Sequence, residues 1–115
     1  MKIVGVSSIK DEPGFSAVVR HLYNQGVDNL LISTPNWGEQ MTANDGSTWL
    51  SQDGLFDQGA EITRLSYLAK DAGADWIIPF DADEFWIDPL GGTIRSVLEP
   101  LPSDTLKVFC AVFKH

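Results

Sequence analysis

Three carboxylates stand together in Asp81-Ala82-Asp83-Glu84, directly after the apolar run Trp76-Ile77-Ile78-Pro79-Phe80. In an extended segment Asp81 and Asp83 fall on one side and Ala82 on the other. Two like charges side by side repel, and a hard divalent cation with oxygen ligands relieves that repulsion. Mg²⁺ or Mn²⁺, which keep several waters and share phosphate oxygens, suit such a pair. Ligands of open α/β sheets bind outside the carboxyl ends of strands, where this cluster stands. The bland alternative is an acidic cap facing water. The apolar run, the small residue between the aspartates and the following Glu84-Phe85-Trp86 favour a site.

The rest of the chain must build the scaffold that holds these groups. Ile3 to Ile9 is a short, β-branched apolar run and predicts a buried strand. Lys10-Asp11-Glu12-Pro13-Gly14 breaks it, and Pro13 suits a first helical turn. Phe15, Val18, Val19 and Leu22 recur at helical spacing, which predicts a helix to about residue 25 with Gly26 closing it. Val27 to Ser33 predicts a second strand, so the first 33 residues read as one βαβ unit. Thr34 to Gln58 is rich in turn formers, with Ser47 to Ser51 a candidate strand. A connection this long usually carries function. Glu61 to Ala72 predicts a second helix closed by Gly73, and Trp76 to Phe80 a third strand apolar on both faces. Pro79 cannot donate to a ladder, so that strand ends near it. Thr93 to Leu98 predicts a short helix and Thr105 to Phe113 a last strand. The alternation gives an α/β fold: a three-layer sandwich with a mostly parallel, Rossmann-like sheet.

Composition narrows the partners. The chain has 115 residues, 43% of them hydrophobic, which suits one domain with a true core. Sixteen acidic against 8 basic residues give a net charge of −8, which argues against nucleic acid and against an anionic membrane surface. An acidic protein still binds a phosphorylated ligand when a divalent cation bridges the two. The single cysteine, Cys110, allows no internal disulfide and no paired-cysteine zinc site. No apolar run approaches a membrane span, and the start of the chain reads as a strand, not a signal peptide. The default expectation is a cytoplasmic domain, with membrane association only through regions outside this chain.

The chain resembles family 2-like GT-A glycosyltransferases, in the branch whose aspartate motif reads Asp-x-Asp-Glu-Phe. Asp81-Ala82-Asp83-Glu84-Phe85 matches that motif, and Gly73-Ala74-Asp75-Trp76-Ile77-Ile78 resembles the segment before it. Lys10-Asp11-Glu12 stands where the family has a Lys-Asn-Glu-like element. His21-Leu22 with Gly26-Val27-Asp28 is similar to its His-Leu-x-x-x-Gly-Val-Asp element. These elements occur in family order over residues 2–86. The resemblance implies a GT-A fold and a nucleotide-diphosphate sugar donor. It implies that Asp83 coordinates the metal bridging the diphosphate and that Asp81 shares the metal or lies near the ribose. Ser7 and Ser8 match positions bordering the nucleotide. Asp45, in Asn44-Asp45-Gly46-Ser47, is carried over as a base or ribose contact, although that turn lies about ten residues further from the second strand than in the family. The resemblance implies an acceptor without identifying it: a glycan, a lipid or a small molecule.

GT-A domains are about twice this length, so residues 1–115 read as the amino-terminal part of a longer domain. Inverting members take their base from the later half. After Glu99 this chain offers only Asp104 as a carboxylate, and no catalytic base is assigned. Arg64 either approaches the diphosphate or is a solvated helix arginine. His21 reads as a packing residue and Glu12 as a helix cap. Glu84 either orients the metal shell or caps a turn, while Trp37, Trp49 and Trp86 are stacking or anchoring aromatics. Two rival functions stay in view. One is a non-catalytic module for a metal or nucleotide sugar. The other is a haloacid-dehalogenase-type phosphatase, which Phe85 disfavours because that motif needs Thr or Val there.

Overall fold

A computed structural model describes residues 1–9, 15–34, 41–42, 46–52, 58–81, 85, 90–102 and 105. The elements are β1 (Ile3–Ser8), α1 (Phe15–Asn24), β2 (Asn29–Thr34), β3 (Met41–Thr42), β4 (Thr48–Ser51), α2 (Gln58–Asp71), β5 (Trp76–Pro79) and α3 (Ile94–Leu98). The strands form one sheet in the order β3-β4-β2-β1-β5. β4, β2, β1 and β5 run parallel, and the two-residue β3 is antiparallel to β4. The α/β, mostly parallel expectation therefore holds for the described residues. The strand expected over Thr105 to Phe113, apart from Thr105 itself, and the helix start at Pro13 lie outside them.

β1 is buried along its whole length because helices cover both its faces. On one face, Val18, Val19 and Leu22 of α1 pack with Ile3, Leu30, Ile32, Ile78 and Phe80. On the other, Leu65 and Ala69 of α2 pack with Val4, Val6 and Leu50. The crossover from β1 to β2 moves one way across the sheet and that from β4 to β5 moves back. A common crossover hand then sends the two helices to opposite faces.

Both helices end as their glycines predict. Gly26 and Gly73 adopt φ of 89° and 90°. Val27 N–H reaches back to Leu22 O at 3.2 Å, and Ala74 N–H to Ala69 O at 3.0 Å, the six-residue closure of a Schellman cap. Helix α2 begins at Gln58, three residues before the expected Glu61. Gly59 sits within the first turn, and its carbonyl accepts from Thr63 Oγ1 at 2.9 Å. The turn-rich stretch 35–57 holds β3 as well as the expected β4. In β5, Phe80 N–H donates to Val6 O at 3.1 Å. Successive backbone groups alternate sides, so the Pro79 nitrogen faces away from β1, where its missing hydrogen costs no described bond.

The amino edge of the sheet is held by one arginine. Arg95 of α3 donates through Nε to Gly26 O at 2.9 Å and through Nη1 to Met1 O at 3.1 Å. Its Nη2 pairs with the Asp28 carboxylate, which also accepts Ile3 N–H at 2.8 Å. Thr93 caps α3, with reciprocal bonds between Thr93 and Ser96.

Candidate functional site

β1 is flanked by β2 on one side and β5 on the other, and the chain reaches β5 only after building the β2 side. The gap between the carboxyl ends of β1 and β5 is therefore the sheet's topological switch point, where open α/β sheets bind ligands. Ser7 and Ser8 end β1 there, and Phe80 and Asp81 follow β5.

The two ends are tied directly. Ser7 Oγ donates to Phe80 O at 2.8 Å, and Ser7 is fully buried. β1 and β5 pair in register as far as Val6 with Pro79. The bonds of Phe80 N–H to Val6 O and of Ser7 Oγ to Phe80 O carry the contact one residue beyond that pairing. Phe80 is buried while Asp81 is exposed, so the chain turns from core to solvent at this step. Gly5 makes room for the turn. A Cβ there would lie 3.1 Å from Phe80 Cε1 and 2.6 Å from Leu30 Cδ2. Lacking one, β1 lets the Phe80 ring lie against its backbone.

The far end of the aspartate motif is also placed. Phe85 meets His21 of α1 edge to face, with ring centroids 5.3 Å apart and planes at 65°. Asp83 lies outside the described residues, as do Asp45, Glu84, Glu12, Trp37 and Trp86.

Three other residues shape this edge. Gln52, just after β4, points its side-chain nitrogen at Ser8 Oγ (2.8 Å), Ser33 O (3.2 Å) and Ile9 O (3.4 Å). Arg64 of α2 donates through Nη2 to Ser51 O at 3.0 Å and to Glu61 Oε2 at 2.7 Å. That fixes Arg64 over β4, two strands from β1, or roughly 10 Å at ordinary strand spacing. Trp49 packs against the core and donates through Nε1 to Ser47 Oγ at 3.0 Å, the anchoring alternative of its two readings.

The arrangement sets the buried hydroxyls of Ser7 and Ser8 at the end of β1 and the exposed carboxylate of Asp81 after β5. Among the described residues no three His, Cys, Asp or Glu side chains gather as a metal set. A Mg²⁺ or Mn²⁺ that keeps its waters and takes phosphate oxygens needs only one or two protein carboxylates, and exposed Asp81 at the switch point fits as one. Sequence reasoning passed over Gly5, Gln52 and Arg95. The burial of both faces of β1 could have exposed the first, since an unbranched gap there needs a ring to fill it. Gln52 and Arg95 carry no motif. No helix is long and apolar enough to cross a membrane among the described residues. Comparison with protein-family models, with curated proteins and with solved structures finds no match to this chain.

Proposed function

We propose that this chain is the donor-binding part of a GT-A glycosyltransferase, a metal-dependent enzyme that transfers a sugar from a nucleoside-diphosphate donor. The observation that carries the reading is the Ser7–Phe80 hydrogen bond at the switch point, which ties the end of β1 to the residue before Asp81. The switch point is where a nucleotide lies in open α/β sheets.

In the reaction an acceptor hydroxyl oxygen bonds to the anomeric carbon while the bond from that carbon to the donor phosphate breaks. The nucleoside diphosphate leaves with the electron pair, and the hydroxyl proton passes to a base outside the residues assigned here. A divalent ion, when bound, supplies Lewis-acid stabilisation of the charge growing on the phosphate oxygens. Asp81 and Asp83 are the residues proposed to hold it, an electrostatic role without proton transfer. Ser8 borders the nucleotide. Ser7 acts through Phe80, because its hydroxyl is already engaged and buried.

The test is thermal. Mn²⁺ with a nucleoside diphosphate is expected to raise the melting temperature of the chain, and Asp83→Ala to remove that rise. A wild-type melting curve indifferent to the pair rejects the proposal. Binding without sugar transfer or donor hydrolysis selects the non-catalytic module instead.

A further inference from the structure

Gln52 draws three strand ends together. Its side-chain nitrogen contacts groups at the end of β1 (Ser8 Oγ and Ile9 O) and at the end of β2 (Ser33 O, and Ser33 Oγ at 3.4 Å). Its own backbone N–H donates to Thr34 O at 3.1 Å, continuing the β2–β4 pairing by one step. The orientation of the amide follows from chemistry. Ile9 O and Ser33 O are carbonyls that can only accept, so the amide must turn its NH₂ toward them. Ser8 Oγ, the nearest contact at 2.8 Å, then accepts from the same group.

This fixes the polarity of Ser8. A hydroxyl has one hydrogen to give and two lone pairs. Gln52 occupies a lone pair and leaves the hydrogen unspent. Among the described residues that hydrogen has no acceptor, although Ser8 is only 6% exposed. A buried donor without a partner costs free energy, and native proteins rarely leave one. Ser8 follows Ser7, whose hydroxyl ties the end of β1 to Phe80 just after β5.

We infer that Gln52 is a positioning residue: it clasps the ends of β1 and β2 and sets Ser8 as a hydrogen-bond donor toward an acceptor atom of the bound nucleoside. The inference rests on the nucleotide-sugar reading and specifies one contact within it. The acceptor is a carbonyl or ring nitrogen of the base, or a ribose oxygen. On that reading Asp81 and Asp83 would hold the metal and the diphosphate, and Gln52 would act on the nucleoside alone.

Isothermal titration of the full chain with UDP, GDP, dTDP and ADP, each with Mn²⁺, tests this. For the diphosphate that binds best, Ser8→Ala and Gln52→Met are each expected to weaken binding roughly five- to tenfold, the effect of one buried hydrogen bond. The double variant is expected to bind no worse than either single one, because both remove the same contact. A merely structural Gln52 would give losses that add to those of Ser8→Ala, and additive losses overturn the inference. Should Gln52→Met fail to fold, Ser8→Ala decides alone, and unchanged affinity in that variant overturns it. Binding that survives both substitutions removes the clasp and leaves the nucleotide-sugar reading standing. No binding of any of the four by the unaltered chain rejects the nucleotide-sugar reading itself, and the clasp with it.

Discussion

The imidazole of His21 and the ring of Phe85 meet edge to face with centroids 5.3 Å apart, joining helix α1 to the last residue of the Asp-x-Asp-Glu-Phe motif. A helix that packs on the sheet thus also holds the Phe85 ring. His21→Ala is expected to cost about 0.5–1.5 kcal/mol of stability and to shrink the melting rise given by Mn²⁺ with a nucleoside diphosphate. His21→Phe keeps an aromatic ring and should restore most of that rise. Equal loss in the two variants would show that the ring contact is not what matters.

Removing the Ser7 hydroxyl tests the tie between β1 and β5. Ser7→Ala deletes a buried hydrogen bond and is expected to lower stability by about 1 kcal/mol in urea unfolding. The ligand-linked rise in melting temperature should fall as well, because Phe80 and therefore Asp81 lose a fixed point. A stability loss with the ligand response intact would confine Ser7 to folding.

At Gly5 the test is crowding. Gly5→Ala places a methyl 2.6 Å from Leu30 Cδ2 and 3.1 Å from Phe80 Cε1. Leu30 is fully buried and has nowhere to move. The expected cost is about 1–3 kcal/mol, as for other overpacked cores, measured by thermal or urea denaturation. A neutral result would mean that the Phe80 ring can lift from the strand.

The two helix-closing glycines form an internal control. Gly26 and Gly73 share nearly the same positive φ, so alanine at either position carries a similar backbone strain of about 1–2 kcal/mol. At Gly26 the new Cβ would also lie 2.6 Å from Arg95 Cβ, whereas at Gly73 nothing lies within 4 Å. Gly26→Ala is therefore expected to be the more destabilising of the pair in urea unfolding. Equal losses would show that α3 yields without cost.

Much of the scaffold could be read from residue patterns. The apolar runs of β1, β2 and β5, the helical spacing of Val18, Val19 and Leu22, and the glycines closing both helices are local signals, and each produced its element. In the stretch 35–57 the candidate strand at Ser47 to Ser51 was legible, whereas β3 was not, because it is two residues long and its pairing is a tertiary matter. Strand Thr48–Ser51 exists because Thr34 and Leu31 stand opposite it. Ser7, Ser8 and Asp81 could be placed at one sheet edge from their positions at strand ends. The bond from Ser7 to Phe80 could not, since it depends on which strand lies beside β1. Gln52 and Arg95 were invisible for the same reason: each acts on backbone atoms distant in the chain, and carbonyl groups leave no trace in a sequence.

The ties at the two ends of β1 differ in kind. Arg95 and Asp28 secure one end of β1, while neutral hydroxyl and amide groups secure the other. A strand of six residues keeps these ends roughly 17 Å apart, about two screening lengths at physiological ionic strength. Added salt should loosen the guanidinium clamp without altering the struts around Asp81. Charge at that rim is accordingly free to change, by substitution or by an arriving ion, without disturbing what keeps the sheet assembled.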